Sequence, residues 1–255
     1  KGKHPVSYCF KNKRVQIVLR DLLVKCFFVP LMVVFVFEES GNFFQYFETL
    51  RNQIQLHASS LKTFNAFYFC AYHGFFLMDV SLGLIGYVSA SRWLNNKSKS
   101  VENTWSGWLV TLMCYPPFYQ ILDLYLPYRS GGIPYSFLQA PWLDITLKII
   151  TLVTIAIYVW ATMAFGLRFS NLTHRGILTQ GPYAYVRHPA YIAKNISWWT
   201  ENLPNISNPL QLLFLMGINF IYYLRALTEE RHLKQDPDYQ RYCQKVRYKF
   251  IPRIC

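Results

Sequence analysis

The sequence predicts an all-α fold: a polytopic transmembrane bundle of about six membrane helices, including a C-terminal helical hairpin. Of the 255 residues, 53% are hydrophobic and only 15% are charged, whereas soluble domains carry about a quarter charged residues. Mean hydropathy is only +0.13 because the polar residues are gathered into tails and loops. This segregation, together with several long apolar stretches, is typical of a chain that crosses a bilayer.

Four apolar stretches approach or reach the roughly 20 residues that a membrane-crossing helix needs. They are 22–37, 64–90, 105–126 and 143–165. The first is the shortest and contains Lys25 and Pro30, so we expect it to be tilted or interfacial. Residues 128–134 are predicted to form a turn on the far side of the membrane.

A fifth apolar region, 196–224, is interrupted by two prolines and two asparagines: Pro204, Asn205, Asn208 and Pro209. Such a cluster is typical of a turn, so the region is predicted to form a hairpin of two shorter helices. Each arm would have about 8 to 16 residues, which at 1.5 Å per residue is too short to cross without help from neighbouring helices.

The positive charges test this topology independently, since lysine and arginine accumulate on the cytoplasmic side of membranes. If the hairpin returns to the side from which it starts, 22 of the 26 lysines and arginines lie on one side. They fall in 1–25, 91–104, 166–195 and the tail from 225. The net charge of +13 is therefore interpreted as membrane anchoring, and no nucleic-acid motif accompanies it.

The six cysteines have neither CxxC nor metal-ligand spacing, so we expect packing roles, no disulfide framework and no metal site. They are Cys9, Cys26, Cys70, Cys114, Cys243 and Cys255. Asp79, Asp123 and His73 fall within apolar stretches, where ionisable groups are costly. Interfacial or packing roles are favoured over catalysis for all three.

The stretch 173–195 carries the most informative pattern: Gly181-Pro182-Tyr183, Arg187-His188-Pro189 and Tyr191. Because Pro189 restricts the residue before it, a helix is expected to begin here with His188 facing outwards. The free N–H groups of a helix start can bind an anion. The alternative is a loop of interfacial aromatic residues and snorkelling cations, which explains each residue singly but not their grouping around two prolines.

Arg225 and Glu229 are four residues apart, and hence on one face at the end of the last membrane helix. Such a pair forms either a solvated helix end or the wall of a polar pocket. Composition alone favours the solvated end.

GPYAYVRHPAY, followed after an apolar hairpin by LTEERHL and DYQRY, resembles the integral-membrane methyltransferases that include isoprenylcysteine carboxyl methyltransferase and phosphatidylethanolamine N-methyltransferase. The resemblance covers about 144–253 and divides the chain into 1–140, N-terminal helices without a match, and 141–255, a methyltransferase-like core. It implies a cytoplasmic site for S-adenosylmethionine and a lipophilic or lipidated acceptor from the membrane. The cofactor-binding residues that it implies are Gly176, Ile177, Leu178, Tyr183, His188, Pro189, Ala190, Tyr191 and Glu229.

For the acceptor, the resemblance implies that Arg225 lies towards its reacting group. A carboxylate acceptor would need only a cation such as Arg225 to position it, whereas an amine or thiol would need a base, His188 or Glu230. Lys194, Asn195 and the Trp198-Trp199 pair depart from the family pattern. The acceptor is therefore expected to differ from those of the best-known members.

Two other functions fit part of this pattern. A membrane reductase of the sterol-reductase type, using NADPH, would share the C-terminal architecture. The second alternative function is that of a non-enzymatic scaffold or transporter. Transporters usually show repeated halves with interrupted helices, whereas one interrupted segment is visible in this sequence.

Overall fold

The computed structural model describes residues 12–91, 93–94, 96–118, 120, 140–206 and 209–252. It is mostly helical, with one pair of two-residue strands in the described part of the chain. In chain order the elements are α1 (Lys13–Gln55), α2 (Ser60–Val88), β1 (Ser100–Val101), α3 (Trp105–Leu112), α4 (Pro141–Phe165), β2 (Thr173–His174), α5 (Pro189–Asn202), α6 (Pro209–Leu233) and α7 (Pro237–Lys245). Short 3₁₀ turns occupy Gly166–Arg168, Gly181–Ala184 and Leu203–Asn205.

Three helices are long and apolar enough to cross a membrane, among the described residues: Ser60–Val88, Pro141–Arg168 and Pro209–Leu233. The first two correspond to the predicted stretches 64–90 and 143–165. The expected six crossings are thus supported only in part. Large apolar side chains such as Val153 and Trp160 are exposed on the surface of α4, as expected where a helix contacts lipid.

The predicted stretch 22–37 lies within α1, which is far longer than its apolar part and has 43 residues. Asn12 caps its start by accepting a hydrogen bond from the Arg14 backbone N–H at 2.9 Å. Val24 and Phe28 are fully buried, and the Phe28 ring stacks on Tyr87 of α2 at 5.4 Å between centroids. Packing against α2 therefore stabilises α1. The apolar stretch 22–37 did not predict the polar ends of this helix.

The prediction of a single membrane helix over 105–126 is wrong, because α3 ends at Leu112. Turns follow it at 113–117, where Pro116 and Pro117 lack the backbone N–H that a continuing helix would need. Residue 119, the remainder of the stretch from 121, Asp123 and the expected turn at 128–134 lie outside the described residues.

The predicted hairpin is present as α5 and α6, with the break between Asn202 and Pro209. Its arms are antiparallel, because Trp199 donates to Asn219 at 3.2 Å near the break and Tyr191 donates to Glu229 at 2.7 Å at the other end. The expected arm length of 8 to 16 residues holds for α5, with 14, but not for α6, with 25. The apolar pattern predicted too short a helix because the last two turns of α6 carry charged residues.

The two strands tie the N-terminal part of the chain to the loop after α4. Ser100 pairs with His174 and Val101 with Thr173, and the Asn96 side chain donates to the Leu167 carbonyl at 3.0 Å. The division of the chain into two parts at residue 140 stays a prediction. The contacts of β1 and Asn96 with the loop after α4 join residues from the two sides of this division.

Candidate functional site

The loop between α4 and α5 folds back under the ends of the helices through two glycines with left-handed backbone. Gly176 has φ +126° and Gly181 has φ +62°, conformations that side-chain-bearing residues rarely adopt. A Cβ atom at Gly176 would also lie 3.4 Å from the Arg168 guanidinium. The course of the loop therefore depends on glycine at both positions.

His188 immediately precedes α5 and has non-helical backbone, with φ −126° and ψ 56°, as the following Pro189 predicts. The expectation that it faces outwards was wrong, because only 6% of the residue is exposed. The chain after α7 covers it: the Arg187 N–H donates to the Tyr248 carbonyl and the His188 N–H to the Lys249 carbonyl, both at 3.0 Å.

Beneath this loop, Glu230 is the centre of a buried charge network. Its carboxylate lies 3.0 Å from Arg187 Nη1, 3.4 Å from His188 Nε2 and 3.5 Å from Lys249 Nζ. Burial disfavours the Arg187 charge, but the Glu230 carboxylate, Cys243 and Tyr239 together outweigh this effect and raise the pKa of the guanidinium. Glu230 therefore connects the loop, α6 and the C-terminal segment.

A single cavity lies between the loop, α4, α5, α6 and α7, with an empty volume of about 1100 Å³ that includes its opening to solvent. Nine of the eleven predicted site residues line it: Gly176, Ile177, Leu178, Tyr183, His188, Ala190, Tyr191, Arg225 and Glu229. Pro189 and Glu230 do not line it.

Arg225 and Glu229 both face this cavity, so the polar-pocket interpretation holds and the solvated helix end does not. The Tyr191 hydroxyl donates to Glu229 at 2.7 Å. Arg225 Nη2 donates to the Asn171 side-chain oxygen at 2.5 Å. The Asn171 amide in turn donates to the hydroxyls of Tyr87 and Tyr115, at 2.8 Å and 2.9 Å. The guanidinium is therefore held in place from α2 and from the chain after α3.

Several buried polar atoms at the cavity wall have no hydrogen-bond partner among the described residues: Thr173 Oγ1, Arg175 Nε and Nη2, Arg187 Nε and the Tyr239 hydroxyl. Buried groups of this kind are normally satisfied. Their collection around one cavity indicates a polar ligand. Arg175 itself is anchored through Nη1, which donates to the Gly86 carbonyl at 2.5 Å.

Tyr183 lies where the loop meets α7. The Tyr242 hydroxyl donates to its carbonyl at 2.7 Å, and its ring meets Phe165 edge-on. Burial raises the pKa of the Tyr183 hydroxyl, and the nearby Glu229 carboxylate raises it further. The Tyr183 hydroxyl therefore stays protonated.

Sequence reasoning missed Asn171, Arg175, Tyr239 and Tyr242 as parts of the site. Asn171 carries no local signal, since its role depends on helices distant in the chain. The two tyrosines stand three apart on α7, a spacing that could have indicated one face turned towards the core. Asp79 and His73 do not line the cavity; Asp79 accepts from Tyr158 at 2.7 Å and His73 lies 2.7 Å from Glu39.

Residues 140–236 match the family model described as phospholipid methyltransferase. The matched segment runs from the start of α4 to the turn before α7, and so contains the loop, the hairpin and most of the cavity wall. It confirms the resemblance to membrane methyltransferases over this part of the chain. No curated protein matched the chain.

Proposed function

We propose that this chain, whose residues 140–236 match the phospholipid methyltransferase family model, transfers a methyl group from S-adenosylmethionine to a lipophilic acceptor that enters from the membrane. The observation that carries the proposal is the meeting of His188, Arg225 and Glu229 around one cavity, although they lie up to 41 positions apart in the sequence. The comparisons give no support to the reductase or to a scaffold.

The cavity wall suits the mixed chemistry of S-adenosylmethionine. Glu229 can accept from its amino group or lie near its sulfonium. The Nε donors of Arg175 and Arg187, which have no hydrogen-bond partner among the described residues, suit its carboxylate. Ile177, Leu178 and Leu233 give an apolar surface for adenine, while Tyr183 and Tyr239 offer hydroxyls to the ribose.

When bound, the cofactor supplies a methyl group activated by a sulfonium. The chain's own contribution is positioning, which can lower the barrier of a displacement by about 7–11 kcal/mol. Tyr191 orients Glu229 from α5, and Asn171 orients Arg225 towards the inner part of the cavity. Pro189 would act by starting α5, so that His188 and Ala190 face the ligand.

Glu230 fits a positioning role better than that of a base. Its carboxylate faces two fixed cations and His188, outside the cavity wall. A group so paired is a poor proton acceptor. We therefore propose that Glu230 holds the loop and that Arg225 alone of the two predicted catalytic residues faces the acceptor. The cytoplasmic orientation of the site remains part of this proposal and depends on the distribution of positive charge.

Titration calorimetry with S-adenosylhomocysteine, on the protein in detergent, tests the cofactor. His188→Ala and Glu229→Gln are expected to weaken binding at least about tenfold, since each removes a charged or hydrogen-bonding group from a buried site. Glu48→Gln, at an exposed position on α1, is the matched control and should bind like the original chain. Unchanged affinity in both site variants, or no binding by the original chain, removes the proposal.

A further inference from the structure

Lys194 lies one turn after Tyr191 on α5 and lines the inner part of the cavity. Its ammonium lies 5.2 Å from the ring centroid of Tyr158, 5.4 Å from that of Trp198 and 6.0 Å from that of Tyr222. These are cation–π distances. The Lys194 ammonium therefore makes cation–π contacts with three aromatic rings.

Arg225 does the same from α6. Its guanidinium carbon lies 5.3 Å from the ring centroid of Tyr191, 5.6 Å from that of Tyr115 and 5.7 Å from that of Tyr222. Tyr222 is thus shared by both cations, which places them in one compartment. No carboxylate within 4 Å pairs with either cation among the described residues.

This arrangement is unsuited to an ammonium ligand. Sites for amines and quaternary ammonium groups present free aromatic faces or carboxylates, but here the faces are covered by Lys194 and Arg225. Glu229 is the one acid among the lining residues described, and Tyr191 already donates to it. Asp79 and Glu201 attract Lys194 from a distance, but neither lines the cavity, and Asp79 accepts a hydrogen bond from the Tyr158 hydroxyl.

We propose that Lys194 is a specificity-determining residue that, with Arg225, binds an oxyanion, so that the methyl acceptor is an anionic lipophilic molecule such as a long-chain carboxylate. This inference rests on the proposed function for the transfer itself. A carboxylate oxygen forms the new bond to the methyl carbon as the carbon–sulfur bond breaks. The products are a methyl ester and a neutral thioether, and no proton leaves, so no base is required.

The test compares two probes with the same chain length and opposite charge, palmitate and hexadecylamine, by titration calorimetry on the protein in phosphatidylcholine nanodiscs. The original chain should bind palmitate at least about tenfold more tightly, since two buried cations face its carboxylate. Lys194→Met should lose most of this preference and gain affinity for hexadecylamine, because the lysine charge no longer lies over the rings of Tyr158, Trp198 and Tyr222. Lys194→Arg should keep it.

Lys148→Met is the control, since Lys148 also lies over a tyrosine ring, that of Tyr68 at 5.6 Å, but outside the cavity wall. It should leave the preference unchanged. An original chain that binds the amine more tightly or neither probe, or a Lys194→Met variant with the original preference, would overturn the inference. Binding of S-adenosylhomocysteine, measured in parallel, shows that each variant is folded and reports separately on the proposed function.

Discussion

Asn171 fixes the direction of Arg225 through a hydrogen bond buried between α2, the chain after α3 and α6. Removing the asparagine takes away the side-chain oxygen that accepts a hydrogen bond from Arg225 Nη2. Leaving a buried charged group unsatisfied costs about 1–3 kcal/mol or more. The position of Arg225 therefore depends on a residue outside the recognisable motifs.

Asn171→Ala is expected to lower the rate of methyl transfer at least about tenfold while changing S-adenosylhomocysteine affinity by less than about threefold, since Arg225 faces the acceptor in our proposal. Radiolabelled methyl transfer in native membranes, with the product identified, measures the first quantity and calorimetry the second. Asn65→Ala, which removes a partner of Lys148 away from the cavity, is the control. Equal losses in rate and affinity would contradict the assignment.

Tyr191→Phe removes only the hydroxyl that donates to Glu229 at 2.7 Å. A hydrogen bond to a charged group contributes about 1.5–3 kcal/mol, so S-adenosylhomocysteine should bind at least about tenfold more weakly. Tyr185→Phe is the matched control because Tyr185 is 71% exposed. Calorimetry showing the same affinity for both variants would mean that Tyr191 does not orient the carboxylate.

At the scale of elements, the start of α7 is joined to β2 through Asp236. Its carboxylate caps α7 by accepting from the Asp238 N–H at 2.8 Å, and it lies 2.7 Å from His174 Nε2. The His174 hydrogen bond lowers the pKa of Asp236 below its ordinary value of 3.8. Since the pKa is depressed in the folded state, the carboxylate contributes stability above about pH 4.

This contribution is expected to be lost as the pH falls through the folded-state pKa, which lies below 3.8. Asp236→Asn should therefore lower the melting temperature at pH 6, and the difference from the original chain should shrink towards pH 3. Asp238→Asn, at an exposed position on the same turn, should show a smaller effect, because its partner Arg241 is also on the surface. A difference independent of pH would contradict the stabilising role of the ionised Asp236 carboxylate.

The C-terminal segment shows how one element completes another. The loop before α5 donates two backbone hydrogen bonds to the carbonyls of 248–249 and accepts one from the Tyr242 hydroxyl. Without them, the N–H groups of Arg187 and His188 would be buried without partners, which is costly. The recognisable motif is therefore held in its conformation by residues about 60 positions later.

At the scale of the whole molecule, α1 and α2 form an antiparallel pair, since Phe28 meets Tyr87 near one end and Glu39 meets His73 further along. The connection at 56–59 thus lies at the opposite end from β1, which pairs with the cavity loop. If the pair crosses the membrane, these two connections lie on opposite sides.

Single cysteines introduced at His57 and Lys97, both exposed, test this arrangement in a background with the native cysteines replaced. Charge distribution predicts that Lys97→Cys reacts with a membrane-impermeant maleimide only from the cytoplasmic side, and His57→Cys only from the other. Detergent-permeabilised membranes give the full labelling of both. Labelling of both positions from the same side would exclude the proposed topology.

The sequence by itself determined the apolar helices 64–90 and 143–165, the break between α5 and α6, and the start of α5 after His188. These features depend on hydrophobic runs and on proline, which act over a few residues and can be read locally. It also marked nine residues that the fold gathers around one cavity.

Only the tertiary structure decided that His188 is buried, that Glu230 lies outside the cavity wall and that α3 ends at Leu112. The tertiary structure also showed that Asn171, Tyr242 and the aromatic rings around Lys194 belong to the candidate site. The physical reason is that burial and hydrogen-bond partners depend on which surfaces meet, and residues distant in the sequence meet at this site, as Asn171 and Tyr87 do with a separation of 84 positions. No local pattern carries that information.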